Sequence, residues 1–120
     1  MNVVKKLKML ANSQQFRQVY DQGQRFHTSY FSAFILKNEV DELRVGITVT
    51  RKIGNAVVRN RCKRRLREAL RKLLNDPLDL AGDLVINAKS DLVKAEFTQI
   101  VEALAKMLTR VRESLAKSDK

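Results

Sequence analysis

The segment 43–74 constrains the fold more than any other, because a strand pattern gives way there to a helical pattern within a few residues. Apolar residues occupy every second position up to Val49, which predicts a strand with one buried face. Gly54 then interrupts the pattern, and Asn55 is suited to cap the first turn of a helix. We therefore expect a strand that leads through a short turn directly into a long helix.

The predicted helix extends to about Leu74 and carries one narrow apolar stripe. At helical spacing the stripe contains Val58, Cys62, Leu66, Ala69 and Leu73. Most other positions are basic: from 51 to 72 the chain has ten Lys or Arg residues and a single acid, Glu68, within a total formal net charge of +11. So concentrated a positive field on a chain of 120 residues is typical of a protein that binds a polyanion.

A basic helix face has two other interpretations, a merely solvated surface or a contact with an anionic membrane. Structured RNA is favoured because most of the bases are arginine, whose planar guanidinium matches phosphate oxygens with paired hydrogen bonds. The apolar stripe is also narrow enough to be buried entirely in the core of the domain, so the helix would have no apolar face left to contact lipid. Like charges one turn apart, such as Arg61 and Arg65, disfavour the isolated helix, and a bound polyanion would remove that repulsion.

The chain as a whole predicts a single domain, residues 1–120, with flexible ends at 1–9 and 116–120. The other predicted elements are a helix from a Ser13 cap to Gly23, strands at 30–37 and 82–88, additional strand material at 25–28, and a last helix from about Val93. A short polar turn separates strand 30–37 from the strand after it, so the two are expected to pair as a hairpin. The fold class is α+β, a two-layer α/β sandwich in the order α-β-β-α-β-α, with helices on one face of a small mixed sheet.

The sequence predicts no catalytic residue and no metal ligand in this chain. Its only histidine is His27, and no Gly-rich phosphate loop, HExxH or GxSxG motif is present. Cys62 falls on the apolar stripe, where a buried hydrophobic role is favoured over that of a nucleophile. Asp76, Asp79 and Asp83 are close in sequence but fit a solvated loop better than a metal site.

Neither a secretory signal nor a membrane span is recognisable in the sequence. Residues 1–10 alternate Lys with Val, Leu and Met instead of forming an uninterrupted apolar run. No stretch approaches the ~20 apolar residues that a membrane-spanning helix needs. The expectation is a soluble, cytoplasmic protein without a membrane partner.

Phe34 stands out among the aromatic residues. It lies on a predicted strand, on the face opposite Phe31, Ala33 and Ile35. If those three residues face the helices, Phe34 points to the other side of the sheet. An aromatic ring exposed beside basic residues can stack on unpaired nucleotides, at about 1–3 kcal/mol per base. Burial in a small second core beside Leu36 is the alternative.

The sequence RVGITV at 44–49, followed by KIGNAVVRNR at 52–61 and by residues 63–64 and 66–68, resembles the protein subunit of bacterial ribonuclease P. The element Arg59-Asn60-Arg61 with its flanks is the signature of that family. The resemblance begins at 16–20 with Gly23 and continues through 82–85 to the last helix, so it covers nearly the whole domain.

The resemblance implies a particular fold and function. The helix after Gly54 would make a left-handed crossover between parallel strands, where general topology favours the right-handed form. The chain would be a protein cofactor in a ribonucleoprotein endonuclease that removes the 5′ leader of precursor tRNA, with catalysis by the partner RNA and its Mg²⁺ ions. Its partners would be the catalytic ribonuclease P RNA and precursor tRNA, with no small-molecule substrate. A ribosomal-type RNA-binding protein with a structural role is the alternative.

Two sets of site residues follow from the same resemblance. A leader-binding cleft would be lined by Phe16, Tyr20, Phe34 and Thr48, together with four residues shared with the second set, Arg59, Asn60, Lys63 and Arg67. The RNA-binding set is Arg51, Lys52, Arg59, Asn60, Arg61, Lys63, Arg64, Arg65 and Arg67. Within it, the residues expected to face the catalytic RNA are Arg59, Asn60, Arg61, Arg64 and Arg65.

Overall fold

The computed structural model describes residues 8–40, 42–74 and 80–118. In chain order its elements are β1 (Lys8–Met9), α1 (Ser13–Gln22), β2 (Gln24–His27), β3 (Phe31–Leu36), β4 (Leu43–Thr48), α2 (Ala56–Leu73), β5 (Gly82–Ala88), a 3₁₀ turn at Ser90–Leu92, and α3 (Phe97–Ser118). The mixed α+β class is confirmed. The strands β1 and β2 are additions to the predicted order, and β2 lies where additional strand material was expected.

The five strands form one mixed sheet in the order β1-β4-β5-β3-β2. β4 runs parallel to both of its neighbours, β1 and β5, whereas β3 runs antiparallel to β2 and β5. α2 therefore connects two parallel neighbours, β4 and β5, as the resemblance implied. The left hand of that crossover stays a prediction.

The expected hairpin between β3 and β4 is wrong, because β5 lies between these two strands. Burial gives the reason. Leu84, Val85 and Ile86 are fully buried, and a strand that is apolar on both faces is stable only where both faces are covered. β5 therefore takes the centre of the sheet, and the short connection from β3 to β4 passes its end.

The main core lies between the sheet and the helices α2 and α3. Its fully buried members include Leu66 of α2, Leu104 of α3 and Phe31 of β3. The sequence placed every helix on this face, and α1 corrects that expectation: its Val19 packs on the opposite face, against Val85. Since side chains alternate along a strand, Val85 points away from the main core, and α1 supplies the cover that it needs.

Side-chain caps fix where α1 and α2 begin. Asn55 is confirmed as the N-cap of α2, because its Oδ1 accepts a hydrogen bond from the Val58 backbone N–H at 3.0 Å. For α1 the cap is Asn12 and not Ser13, with Asn12 Oδ1 accepting from the Gln15 N–H at 3.0 Å. Such caps contribute about 1 kcal/mol each. The cap at Asn55 starts the basic helix within a short turn of the end of β4.

The predicted flexible ends, 1–9 and 116–120, are only partly within the described chain. Lys8 and Met9 form β1, paired with β4, and α3 includes residues 116–118. The other residues of both ranges lie outside the described part. The last helix begins at Phe97, later than the expected start near Val93, because the 3₁₀ turn at Ser90–Leu92 comes first. None of the described helices is both long and apolar enough to cross a membrane.

Asp83 belongs to a buried ion pair on the α1 face of the sheet. It is 4% exposed, and its two carboxylate oxygens accept hydrogen bonds from Nε and Nη2 of Arg44, each at 2.7 Å. Asn38 Nδ2 donates a further hydrogen bond to it at 2.8 Å. The hydrogen bond with Asp83 raises the pKa of Arg44 above its ordinary value. Asp76 and Asp79, the other members of the acidic loop in the sequence, lie outside the described residues.

Candidate nucleic-acid interface

Phe16 seats α1 on the sheet. It is half-buried and packs beside Val19 and Val85. A Cβ atom at Gly46, in the middle of β4, would overlap the Phe16 ring. Glycine at this position therefore lets the helix lie directly against the strand. As a result, the side chains on the last turns of α1 come within hydrogen-bonding reach of β4 and β5.

Tyr20 makes that contact. Its hydroxyl donates a hydrogen bond to Asn87 Oδ1 at 2.7 Å and lies 3.4 Å from Thr48 Oγ1. The Tyr20 ring meets the Phe34 ring edge to face, with centroids 5.0 Å apart and an angle of 84° between the planes. Tyr20 nevertheless stays 37% exposed, so the ring is held in place and still accessible. We call the group Phe16, Tyr20, Phe34, Thr48 and Asn87 the cleft.

Phe34 faces away from the main core, as the strand alternation predicted. Phe31, Ala33 and Ile35 are buried in the main core, whereas Phe34 is half-buried on the α1 face. Its ring also packs beside the second, smaller core. Phe34 is therefore partly buried in the second core and partly open beside Tyr20. Its stacking on unpaired nucleotides stays a prediction.

Sequence reasoning missed two residues of this region, Asn87 and Arg25. Asn87 lies opposite Thr48 in the parallel register of β4 and β5. The guanidinium carbon of Arg25 lies 5.6 Å from the centroid of the Phe34 ring, within the range of a cation–π contact. A polar residue at the end of an apolar strand was a visible signal for Asn87. Whether Asn87 lies in the cleft depends on how the strands pair, which the sequence did not determine.

Eight of the nine expected RNA-binding residues lie at the protein surface. Five are exposed (Arg51, Lys52, Asn60, Arg61, Arg64) and three are half-buried (Arg59, Lys63, Arg67). We call these eight the basic surface. Among the described residues, none of its cations has a carboxylate within ion-pair distance. Its positive charge is therefore not neutralised within the described fold and is available to an external anion.

Arg65, the ninth, is engaged inside the fold. It is half-buried, and its Nη1 donates to the backbone carbonyl of Leu92 at 3.3 Å while Nη2 donates to that of Ala95. These two carbonyls precede α3, so Arg65 ties α2 to the connection ahead of α3. Its guanidinium serves the packing of the protein, in contrast to the exposed Arg61 and Arg64 on the same helix.

Arg59 holds a buried donor without an acceptor among the described groups. Its Nε is shielded from solvent and makes no hydrogen bond. An unpaired buried donor costs about 1–3 kcal/mol. Movement of the Arg59 side chain onto a phosphate oxygen would supply the missing acceptor, so anion binding at this residue would also relieve that cost.

Cys62 and His27 are the two residues best suited to catalysis by type. Cys62 is 2% exposed in the main core, where burial raises the pKa of its thiol, as its place on the apolar stripe predicted. His27 Nδ1 lies 3.3 Å from Ser32 Oγ. Desolvation, and then the positive charges of Arg25 and Lys89, lower the pKa of His27 below 6.5. Within 8–40, 42–74 and 80–118, no three His, Cys, Asp or Glu side chains gather closely enough to hold a metal ion.

The sequence matches a known family over most of its length. The model of the family described as Ribonuclease P matches residues 4–112. The chain is 35% identical over 112 residues to the ribonuclease P protein component of Syntrophus aciditrophicus, covering 93% of each chain. It is 40% identical over 111 residues to the ribonuclease P protein component of Citrifermentans bemidjiense, covering 92% of this chain and 94% of the relative.

Solved structures give the same result for the fold. The ribonuclease P protein of Staphylococcus aureus superimposes with a TM-score of 0.76 at 29% identity, covering 88% of this chain and 98% of that one. The ribonuclease P protein of Thermotoga maritima gives a TM-score of 0.75 at 28% identity, covering 87% of this chain and 97% of that one. The fold of this chain is therefore shared with these proteins along most of its length.

Proposed function

The chain belongs to the ribonuclease P protein family, and on that premise we propose that it is the protein component of a ribonuclease P ribonucleoprotein that acts in the 5′ processing of tRNA. In this role it binds the catalytic RNA through the basic surface and the 5′ leader of precursor tRNA through the cleft. The protein is a cofactor of an endonuclease whose catalytic centre lies in the RNA. We place this activity in the cytoplasm.

One observation carries the proposal: the cleft adjoins the basic surface. Thr48 is the last residue of β4, and α2 begins at Ala56 after a short turn that contains Arg51 and Lys52. The hydrogen bonds of Tyr20 hold the cleft at the same end of β4. Two kinds of RNA contact, one aromatic and one electrostatic, thus meet at one edge of a small domain.

The basic surface supports assembly of two RNA molecules. Phosphates of the catalytic RNA and of the precursor repel one another where the two molecules approach. Cations without a carboxylate partner, such as Arg61 and Arg64, lower that repulsion and release counterions from the RNA. This contribution is independent of sequence and declines as salt is raised.

The cleft supports binding of an unpaired leader. The rings of Tyr20 and Phe34 offer stacking surfaces, and any base can stack on them. Thr48 and Asn87 add hydroxyl and amide groups beside the rings, already oriented by Tyr20. Because the contacts are tied together before RNA arrives, little ordering of side chains is needed on binding.

Mg²⁺ belongs to the partner RNA in this proposal. Mg²⁺ is usually held by one or two carboxylates together with phosphates. Asp83, the buried acid of the described residues, lies on β5 and is already bonded to Arg44 and Asn38. The described residues contain no group of three or more His, Cys, Asp or Glu side chains that could hold a metal ion, and the proposal routes no step on this chain through Mg²⁺.

Reconstitution tests the proposal. The protein is combined with a bacterial ribonuclease P RNA and precursor tRNA at low Mg²⁺, and 5′ cleavage is measured with and without the protein. We expect faster cleavage and a lower Mg²⁺ requirement with the protein present.

An unchanged rate and Mg²⁺ requirement would contradict the proposal and favour a purely structural RNA-binding role of the ribosomal type. Cleavage by the protein without RNA would show instead that it is itself a nuclease. Protein treated with a contaminating-nuclease inhibitor is the control for that second outcome.

A further inference from the structure

β2 is an edge strand of the described sheet and leaves part of its backbone unpaired. Just past its end, Thr28 donates its backbone N–H to the Phe31 carbonyl at 2.9 Å. Bonded and non-bonded pairs alternate along an antiparallel ladder, so Phe26 bonds to β3, whereas the backbone groups of Arg25 and His27 point away from it. Among the described residues, these outward groups have no hydrogen-bond partner. Such an edge is a template for a further strand.

Two depressions lie between β2 and α3 and share Arg110. The first, of about 500 Å³, is bordered by His27 and by Lys106 of α3. The second, of about 350 Å³, is bordered by Gln24 and Lys117. Since Gln24 and His27 are the two ends of β2, the depressions together follow the strand along its length, and we call them the β2–α3 groove. A strand added to β2 would place every second side chain over this groove.

Side-chain contacts hold α3 beside β2 at the base of the groove. Phe26 is buried in the main core, and the guanidinium carbon of Arg110 lies 5.2 Å from the centroid of its ring. Ser114 Oγ donates a hydrogen bond to Gln24 Oε1. The two residues of β2 with outward backbone groups nevertheless stay exposed. An extended peptide in such a place gains main-chain hydrogen bonds from the strand and side-chain contacts from the helix.

The charges along the groove are mixed in sign. On α3 the acids Glu102 and Glu113 are interspersed with Lys106, Arg110 and Lys117. Lys106 pairs with Glu102 at 3.4 Å, whereas Arg110 and Lys117 have no carboxylate within ion-pair distance among the described residues. A polyphosphate strand would pass both acids here, while α2 offers it a face with a single acid. A peptide with a few carboxylates can reach the unpaired cations and avoid the acids, so the groove fits a peptide better than RNA.

A second copy of this chain fits the edge less well than an acidic partner. Pairing of β2 with the β2 of another molecule would bring the Arg25 side chains of both copies close together, and each chain carries a formal net charge of +11. An acidic segment would gain the same backbone hydrogen bonds and would be attracted to Arg25 instead of repelled.

We propose that β2 accepts an extended acidic segment of another protein as an additional strand, with carboxylates of that segment paired to Arg110 and Lys117 in the groove. β3 and β5 separate β2 from β4, a distance of about 14 Å at the usual strand spacing. The segment would therefore leave β4 and the start of α2 open to RNA. This role is independent of the proposed function, because the edge and the groove are present in the free protein.

Amide hydrogen exchange tests the pairing directly. The probe is a short capped peptide that alternates glutamate with valine or threonine, added to the 120-residue chain and followed by NMR. The N–H groups of Arg25 and His27 should exchange rapidly in the free protein and roughly tenfold or more slowly at saturation. The N–H of Phe26, bonded to β3, should be protected in both states and serves as the control within the same strand.

Two matched peptides separate charge from backbone pairing. One has lysine in place of glutamate, and the other keeps glutamate but has alternate backbone amides methylated, which removes its hydrogen bonds to a strand edge. Each should bind roughly tenfold more weakly than the probe.

Protein variants make the same separation from the other side. His27→Pro removes one outward N–H at a position where an edge strand tolerates proline, and should weaken peptide binding roughly fivefold. Arg110→Gln/Lys117→Gln should weaken it roughly three- to tenfold at low salt and less at high salt. Arg17→Gln/Arg71→Gln removes two exposed cations from α1 and α2 and should leave it nearly unchanged. Protection of the inward β2 amide in each variant shows that it is folded.

Other results would overturn the proposal. Failure of the glutamate peptide to bind, or equal binding of the lysine peptide, would contradict an acidic partner. Binding without slowed exchange at Arg25 and His27 would place the peptide elsewhere. A short single-stranded RNA that slows the same two amides would identify RNA as the occupant of the edge. Slowing that rises with protein concentration in the absence of peptide would identify a second copy of the chain.

Discussion

The cleft and the basic surface are built on opposite principles. Every polar group of the cleft described above is already engaged: Tyr20 bonds Asn87 and touches Thr48, and its ring rests on Phe34. On the basic surface, the cations have no carboxylate partner among the described residues. The cleft is ordered in the free protein, whereas the basic surface carries charge that a bound anion would offset, as the proposed function requires.

This difference suggests a division of labour in RNA binding. A preformed aromatic site contributes stacking that depends on an unpaired partner and little on salt. Unpaired cations contribute attraction to any phosphate and lose it as salt rises. If the division is correct, substitutions in the two regions differ in kind as well as in size, and the following predictions test it from the largest expected effect to the smallest.

Replacing both Arg61 and Arg64 with Ala should have the largest effect. We expect RNA affinity at moderate salt to fall about tenfold or more, and the dependence of affinity on salt to flatten by about 0.7–0.9 per lost phosphate contact. The loss should be the same for precursor and mature tRNA complexes. Titrations over a range of salt concentrations measure both quantities, and the α3 double variant with Lys106 and Lys117 replaced by Ala is the matched control. An unchanged slope would place the RNA elsewhere.

Phe34→Ala should act on the leader alone. Loss of one stacking surface, at about 1–3 kcal/mol per base, corresponds to roughly 5- to 150-fold weaker binding of precursor tRNA. Mature tRNA, which has no leader, should bind as before, and the salt slope should not change. Comparison of the two affinities checks the prediction. An equal loss of affinity for precursor and mature tRNA would show that Phe34 does not contact the leader.

Arg65→Met should separate folding from RNA binding on a single helix. The substitution leaves two backbone carbonyls, those of Leu92 and Ala95, without their donor. We expect the free energy of unfolding to fall by about 1–3 kcal/mol, with the salt slope of RNA binding unchanged. Denaturant titration of the free protein and salt titration of the complex measure the two effects. A changed salt slope with an unchanged free energy of unfolding would show that Arg65 contacts RNA and does not stabilise the fold.

The smallest effect concerns His27 and pH. Its folded pKa lies below the unfolded value of 6.5, lowered by desolvation and by Arg25 and Lys89. The unfolded chain therefore takes up a proton first as pH falls through 6.5, and this residue makes the folded protein less stable below that pH. His27→Gln should reduce the loss of stability on acidification.

Denaturation midpoints at pH values on either side of 6.5 measure this change. Across the β2–β3 turn, His27 also lines a depression with Glu102, Lys106 and Arg110 of α3. Repeating the comparison of wild type with His27→Gln in a Lys106→Gln background tests whether the α3 side of this depression also affects the dependence of stability on pH. A midpoint difference identical in wild type and His27→Gln would show that other groups determine the acid response.

The basic surface was largely predictable from sequence, because a helix is a local structure. The stripe through Cys62 and Leu66, the cap at Asn55 and the exposed bases all follow from spacing along one segment. The exception is Arg65. Its use as a donor to the turn before α3 depends on residues more than twenty-five positions away, and no local pattern reports them.

The cleft was predictable only in part, because it is assembled from four elements. The alternation around Phe34 correctly placed that ring away from the main core. The contacts of Tyr20 with both Asn87 and Phe34, however, depend on β5 lying between β3 and β4, which the expected hairpin would have excluded. The register also decides that Arg25 lies opposite Phe34. Strand order depends on contacts between distant parts of the chain, so the periodicity of the sequence did not determine it.

Cys62 makes the basic helix observable. It is the only thiol in the chain, it lies under α2, and it is 2% exposed. A thiol-reactive dye can modify it only when the helix moves away from the core, so the labelling rate reports the opening of the element that carries most of the basic surface. Labelling of Cys62 therefore reports the opening of α2 without an engineered probe, and the labelling rate should fall if bound RNA holds the helix against the core.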